Sequence, residues 1–379
     1  MKLKYTEEKN IRLSRMLDFE SFRGDLDIDQ LSYYPAVTTV PLHLPDEGYR
    51  FQHENAIIIW HGLIFCAWYN CPENELAGFT PIRGKFSRDG GKSWSKTEIL
   101  VSDPDGKLIC CPPVFGICDD ELYLLANTMV GADLIHSMEF YKFDPADEKF
   151  HFLKSEPLPF KLNTNVFHLD NGKLLLPGRI AEPDGFPATP AVLIADSGKI
   201  DGKWRLVKIQ PDKFLPDGAE LRNPEITPVI QHNIITIFCR NDHRDVPIFY
   251  RSMDFGETWS KVMEHDIPFA DSKIYSGTLS DRRNYLIGNI TPPESGKSLF
   301  EKRDKLAFFL SEPDTLNFNQ GWLLRDGYDE ELALYPQWSY PMADEYDGKL
   351  YVIYSMSSDG DQSHRGAMLS IIDLNLPSA

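Results

Sequence analysis

The stretch Tyr250 to Lys261, YRSMDFGETWSK, constrains the fold of this chain more than any other. It reads Ser252-x-Asp254-x-Gly256-x-Thr258-Trp259. At that spacing an Asp carboxylate can cap backbone N–H groups of a tight hairpin turn while Gly takes a positive φ. The Ser precedes the turn, and the Trp following it can fold back as an apolar plug. A second copy, FSRDGGKSWSK, spans Phe86 to Lys96, with Ser87, Asp89, Gly91, Ser93 and Trp94 in the same places. Two copies in similar surroundings signal an internal repeat.

The repeat extends beyond the turn. A strand approaches a turn, an apolar β-branched or aromatic strand follows, and a more polar hairpin closes the unit. This theme runs through Asn55–Asn70, Pro113–Thr128, Asn165–Ile180, Pro224–Asn241, Tyr275–Ile290 and Tyr340–Met356. Comparable starts at Asn55, Pro113, Asn165, Pro224, Tyr275 and Tyr340 are separated by 58, 52, 59, 51 and 65 residues. That period fits one four-stranded blade each, and helical periodicity is largely absent. The expected fold is all-β, a six-bladed β-propeller over residues 49–379, with seven blades as the alternative. Residues 1–48 contain one plausible strand, Ala36–Leu44, expected to close the ring against the last blade.

Composition narrows the partners. With 57 acidic and 39 basic residues the net charge is −18, which argues against nucleic acid or an anionic membrane surface. A few arginines in a pocket can still hold an anionic sugar. The N-terminus, MKLKYTEEKNIRLSRML, carries charges where a signal peptide needs an apolar run, and no apolar stretch approaches a membrane span. The six cysteines fit no zinc spacing, and adjacent Cys110-Cys111 suit buried free thiols. A cytoplasmic protein is expected, with a trimmed secreted form as the alternative. The histidines do not cluster, so no metal and no cofactor are expected. The oligomeric state is not readable.

In a propeller the innermost strands converge on a central funnel, the default ligand site. Antiparallel pairing brings the start of a first strand and the end of the second to one mouth. Blade four offers Glu225 and Arg240, fifteen residues apart across one hairpin. Blade five offers Lys273, Tyr275 and Arg303, the last heading its third strand. Blade six offers Trp338 and Tyr340, blade three Arg179, and blade one His53, Glu54 and Asn55. Each has a structural reading: Glu225–Arg240 as a buried pair, Arg303 as a solvated charge, Tyr340 as an aromatic wedge before Pro341, His53 as a hydrogen-bonded histidine. Trp94 and Trp259 are read as structural, and His61, His168, His232 and His243 as turn residues.

The two turn motifs resemble the Asp-box of the sialidase superfamily, a fold marker rather than a catalytic motif. The resemblance implies a Tyr nucleophile from the last blade supported by a Glu of blade four, with arginines of blades four and five on a substrate carboxylate. Tyr340, Glu225, Arg240 and Arg303 match that order. Blade one departs from it: Gln52-His53 stands where the family opens with Arg-Ile-Pro, Arg50 is out of place, and no clear acid follows. Blade one is more similar to sialidase-like propellers of ulvan-type lyases and rhamnosyl-glucuronate enzymes, which carry a His near this point. They share stretches like Asp271–Ile290 and Trp338–Met356, over most of residues 48–370. The implied activity is a glycosidase on an acidic or deoxy sugar, with a lyase using His53 and a Tyr as runner-up. A non-catalytic glycan- or protein-binding propeller is the third reading.

Overall fold

The computed structural model describes residues 10–46, 48–132, 134–180, 188–211, 214–241, 246–291, 301–327, 336–358 and 361–375. They fold as six sheets of four main strands arranged as a propeller, so the count is six and not seven. Blade one consists of Phe51–Trp60, Leu63–Cys71, Ile82–Ser87 and Glu98–Val101. Blade two consists of Ile109–Cys118, Glu121–Val130, Leu134–Asp144 and Lys149–Glu156. Blade three splits its first strand into Phe160–Leu162 and Phe167–His168, then adds Leu174–Ile180, Thr189–Ala195 and Arg205–Lys208.

Blade four is Ile226–Gln231, Ile234–Cys239, Ile248–Ser252 and Met263–His265. Blade five is Tyr275–Thr278, Arg283–Asn289, Lys305–Pro313 and Gln320–Asp326. Blade six is Pro336–Tyr346, Lys349–Ser358 and Asp361–Asp373, with Val37–His43 as its fourth, outermost strand. Val37 lies opposite Ile372, so the two ends of the ring are joined by hydrogen bonds within one sheet.

The N-terminal segment touches more than blade six. Asp18–Glu20 adds in parallel to the outer strand of blade four, and Tyr33 bridges Leu323 on the outer strand of blade five. The segment is therefore a belt across the outer edges of three consecutive blades. Phe22 anchors it, fully buried and edge-on to Phe238 and Phe249.

Each sheet is covered on both faces, which explains the continuous apolar strands. Alternate residues feed alternate interfaces. On blade three, Leu174, Leu176 and Leu193 pack toward blade two, whereas Leu175, Val192 and Ile194 pack toward blade four. On blade four, Ile235 and Ile237 face blade three, whereas Phe238 and Phe249 face blade five. A fully buried side chain of this size stabilises by about 1.5–3 kcal/mol, so every blade interface is a substantial core in itself.

Both Asp-boxes adopt one geometry. Asp254 accepts from the Thr258 N–H at 2.9 Å and the Thr258 hydroxyl at 2.6 Å, and Ser252 Oγ accepts from the Gly256 N–H at 2.8 Å. Asp89, Ser93, Ser87 and Gly91 repeat this at 2.8, 2.6 and 2.9 Å. Gly256 and Gly91 sit at φ 87° and 85°, in the left-handed region that Gly adopts without strain. Each glycine also meets the preceding blade: Gly256 faces Leu175 and Ile194 of blade three, and Gly91 faces Ile371 and Leu369 of blade six. The boxes are turns that lock neighbouring blades together.

All six cysteines are buried, and none of them forms a disulfide. Among the described residues no helix is long and apolar enough to cross a membrane.

Candidate active site

Antiparallel pairing brings the starts of the innermost strands and the ends of the second strands to one mouth of the funnel. Glu225 and Arg240 lie directly across their hairpin, with the Arg240 N–H donating to the Glu225 carbonyl at 2.9 Å. Their side chains also meet: Arg240 Nη1 donates to Glu225 Oε2 at 2.9 Å. The same Nη1 donates to the phenol oxygen of Tyr340 at 2.7 Å, from across the funnel. Arg240 Nε donates to Asp271 Oδ1 at 2.6 Å, which fixes the plane of the guanidinium. Arg179 approaches the other oxygen of Glu225 at 3.5 Å.

Two residues of this mouth sit in β-bulges with left-handed backbone. Tyr340 has φ 58° and Glu54 φ 51°, and the strand registers shift across both positions. A positive φ at an aromatic residue is costly, on the order of 1–3 kcal/mol, and clusters at functional sites. The bulges re-aim both side chains. Glu54 pairs with Lys273 Nζ at 3.0 Å. Tyr340 lies against His53, ring centroids 4.0 Å apart, with the Arg303 guanidinium 5.4 Å from its ring centre. Arg303 also donates to the Asp271 carbonyl at 3.1 Å. His53 Nδ1 shares a hydrogen bond of 2.8 Å with Ser355.

The electrostatics follow from burial and an excess of cations. Burial opposes ionisation of Glu225, yet Arg240, Arg179 and Lys273 outweigh it and hold its carboxyl down at about 2. Burial, then the charges of Arg365, Arg303, Lys273 and Arg240, hold His53 well below its ordinary value, so it is a neutral imidazole. Burial pushes the Tyr340 phenol up, against the pull of Arg240 and Arg303.

Seven sequence-predicted residues thus meet at one mouth: Tyr340, Glu225, His53, Arg240, Arg303, Arg179 and Lys273. Two do not. Trp338 is wholly buried, its indole N–H bonded to the Gly327 carbonyl at 3.2 Å and its face under Arg325. Tyr275 lines a cavity of about 460 Å³ with Ile58, Ile117, His168 and Asp344, toward the opposite ends of the innermost strands. Lys273, only two residues earlier, reaches the charged mouth because it precedes the strand. Glu54, a blade-one candidate beside His53, joins them through Lys273, whereas sequence reading missed Asp271 and Arg365 as members of the cluster. Arg365 had a signal: it stands immediately before the third apolar run of blade six, as Arg303 stands before that of blade five.

The comparisons with known proteins bear on this geometry. A family model described as the BNR repeat-like domain matches residues 62–352. The chain belongs to that family. No curated protein matches this BNR repeat-like sequence at a significant level. Among solved structures, the fold is similar to a protein of unknown function from Dyadobacter fermentans, with TM-score 0.67 and 16% identity over 89% of this chain and 100% of that one. It is also similar to Trypanosoma rangeli sialidase in complex with sialic acid, with TM-score 0.66 and 14% identity, covering 91% of this chain and 60% of the sialidase. NanB sialidase from Streptococcus pneumoniae gives TM-score 0.66 and 12% identity, covering 88% of this chain and 69% of the sialidase. At these identities the likeness is one of fold: this BNR repeat-like chain is a sialidase-like propeller.

Proposed function

We propose that the protein is a glycosidase that cleaves an acidic sugar glycoside at the Tyr340 mouth. The observation that carries this reading is the single guanidinium nitrogen of Arg240 bridging Glu225 and Tyr340. It aligns a phenol with an ionised carboxylate in a buried, cationic setting. In the proposed reaction Tyr340 Oη attacks the anomeric carbon as the glycosidic C–O bond breaks. The phenol proton passes to Glu225, and water then hydrolyses the aryl glycoside so formed. A phenol suits an anomeric centre beside a carboxylate, because an anionic nucleophile would be repelled.

A carboxyl held at about 2 is a weak base at neutral pH. A substrate carboxylate beside Arg240 and Arg303 offsets their charge, raising the proton affinity of Glu225 and of His53. The base is thereby strengthened when the substrate is in place. In this scheme His53, its proton affinity raised by the bound carboxylate, takes a proton from solvent and passes it to the leaving oxygen.

The neutral imidazole of His53 against Tyr340 also supports a second reading. In that reading His53 removes the proton beside a uronate carboxylate, Tyr340 protonates the leaving oxygen, and a C=C bond forms. One incubation with sialosides, rhamnosides and uronate oligosaccharides separates the two. Released sugar without new ultraviolet absorbance is the expected result, and Tyr340→Phe should abolish it. New absorbance moves the chemistry to elimination at His53. Silence in both channels supports a binding propeller.

A further inference from the structure

The opposite ends of the innermost strands frame the cavity of about 460 Å³ that Tyr275 lines. Every blade contributes to its wall: Ile58, Ile117, Phe167, Pro228, Tyr275 and Asp344 come from blades one to six in turn. That volume suits a small molecule. Its charge is the reverse of the Tyr340 mouth. Three acids, Asp170, Asp344 and Glu345, line it, and among the described residues no lysine or arginine does.

Two of the acids are occupied by their neighbours. Asp170 Oδ2 bonds His232 Nδ1 at 2.9 Å. Glu345 accepts from the Ser280 N–H at 2.6 Å and the Ser280 hydroxyl at 2.7 Å. Asp344 differs. Its Oδ2 accepts from the Ile59 N–H at 2.6 Å and its Oδ1 from the Glu345 N–H at 2.9 Å, so each oxygen keeps a lone pair. No cation acts on it: burial pushes its carboxyl up to about 7, and the charge of Glu345 adds to this. A carboxylate withdrawn from water without a counter-charge calls for a cation.

The remaining wall fits the same kind of guest. His168 Nε2 donates to the Ile117 carbonyl at 2.7 Å, so in the neutral ring Nδ1 is an acceptor. Phe167, Tyr275 and Tyr285 supply aromatic surface, which accommodates a cation that has shed its water. The seat of Tyr285 is built by its partner across the strand pair, Gly277. A Cβ at Gly277 would come within 2.4 Å of Tyr285 Oη, so only glycine admits the phenol there.

We infer that this cavity binds a small organic primary ammonium ion, whose nitrogen donates to Asp344 while its body lies against Phe167, Tyr275 and Tyr285. The site is separate from the Tyr340 mouth and does not rest on the glycosidase reading. An anion would meet three acids here, and a neutral alcohol would leave Asp344 without a counter-charge.

The test is calorimetric titration of the full chain with benzylamine and putrescine, each against its neutral counterpart, benzyl alcohol and 1,4-butanediol. It is run at about pH 8, where Asp344 is ionised. The wild type should bind at least one amine about 10- to 100-fold more tightly than the matching alcohol, the range of a charge-assisted hydrogen bond. Asp344→Asn should remove that preference while leaving alcohol binding unchanged. A wild type that prefers neither amine overturns the inference, as does an undiminished preference in folded Asp344→Asn. Should Asp344→Asn not fold, a crystal structure of the wild type soaked with the preferred amine decides. Nitrogen within hydrogen-bond distance of the Asp344 carboxylate sustains the inference, and an amine bound elsewhere or not at all overturns it.

Discussion

At the scale of single residues, Glu225 bears most on the chemistry. Glu225→Gln removes the proposed proton acceptor while keeping its shape. It should lower kcat by about 10²–10⁴-fold, the contribution of a positioned acid–base group. It also leaves Arg240 and Arg179 less compensated, so KM for an acidic substrate should fall or stay level. A KM rise with unchanged kcat would assign Glu225 to binding alone. His53 is tested through the leaving group. If it donates the leaving-group proton, His53→Asn should slow an alkyl glycoside far more than a nitrophenyl glycoside, whose leaving group needs no proton. Equal slowing of both denies it that role. Much of this cluster was legible. Glu225 and Arg240 declare themselves by fifteen residues of hairpin spacing, and Tyr340 by its place in the last blade. Arg365 was passed over although its place in blade six matches that of Arg303 in blade five, because its neighbours lie across a blade boundary and no spacing within one hairpin joins them. Tyr275 was misplaced because the innermost strand of blade five is only four residues long. Over so short a strand, two residues separate one mouth from the other.

At the scale of elements, the Asp-boxes were legible in full, since every hydrogen bond in them is local and set by spacing. What their sequence does not contain is the neighbouring blade against which each glycine packs. Gly256→Ala forces a side chain into φ 87° facing Leu175, 3.4 Å from the added carbon. The expected loss is about 1–3 kcal/mol of stability in urea unfolding, with kcat/KM unchanged because the box lies away from the mouth. Loss of activity without loss of stability would connect the box to the site, which the geometry does not. The same logic explains why the strand at residues 37–43 was readable, being apolar and β-branched. The parallel addition of Asp18–Glu20 was not, because three residues carry no pattern.

At the scale of the whole molecule, buried histidines lower stability in acid, while Asp344, pushed up to about 7 by burial, acts in the opposite sense. His43 is held down at about 4 and His265 at about 3, both chiefly by burial, and His53 lies well below its ordinary value for the same reason. The unfolded chain takes up a proton at each below about pH 6.5, and the folded chain does not. Their contribution is therefore complete above pH 6.5 and lost as pH falls toward 4 and then 3. For His43 alone this is on the order of 3 kcal/mol. His43→Phe should therefore make the urea midpoint fall less, or rise more, than that of the wild type as pH drops from 6.5 to 4.5. An identical pH dependence in wild type and variant would mean the His43 imidazole protonates in the folded state.

The belt of the N-terminal segment has a consequence for synthesis. Its three docking points, Asp18 on Met263, Tyr33 on Leu323 and Val37 on Ile372, are translated in the same order as the belt itself but hundreds of residues later. This segment thus leaves the ribosome before every blade but docks only after blades four to six exist. Blades one to three can assemble while it waits, but Phe22 and the strand at residues 37–43 remain apolar and unpaired until blades four to six exist. Quality control during translation therefore falls on a segment whose anchors, Phe22, Ile28 and Tyr34, the finished ring buries.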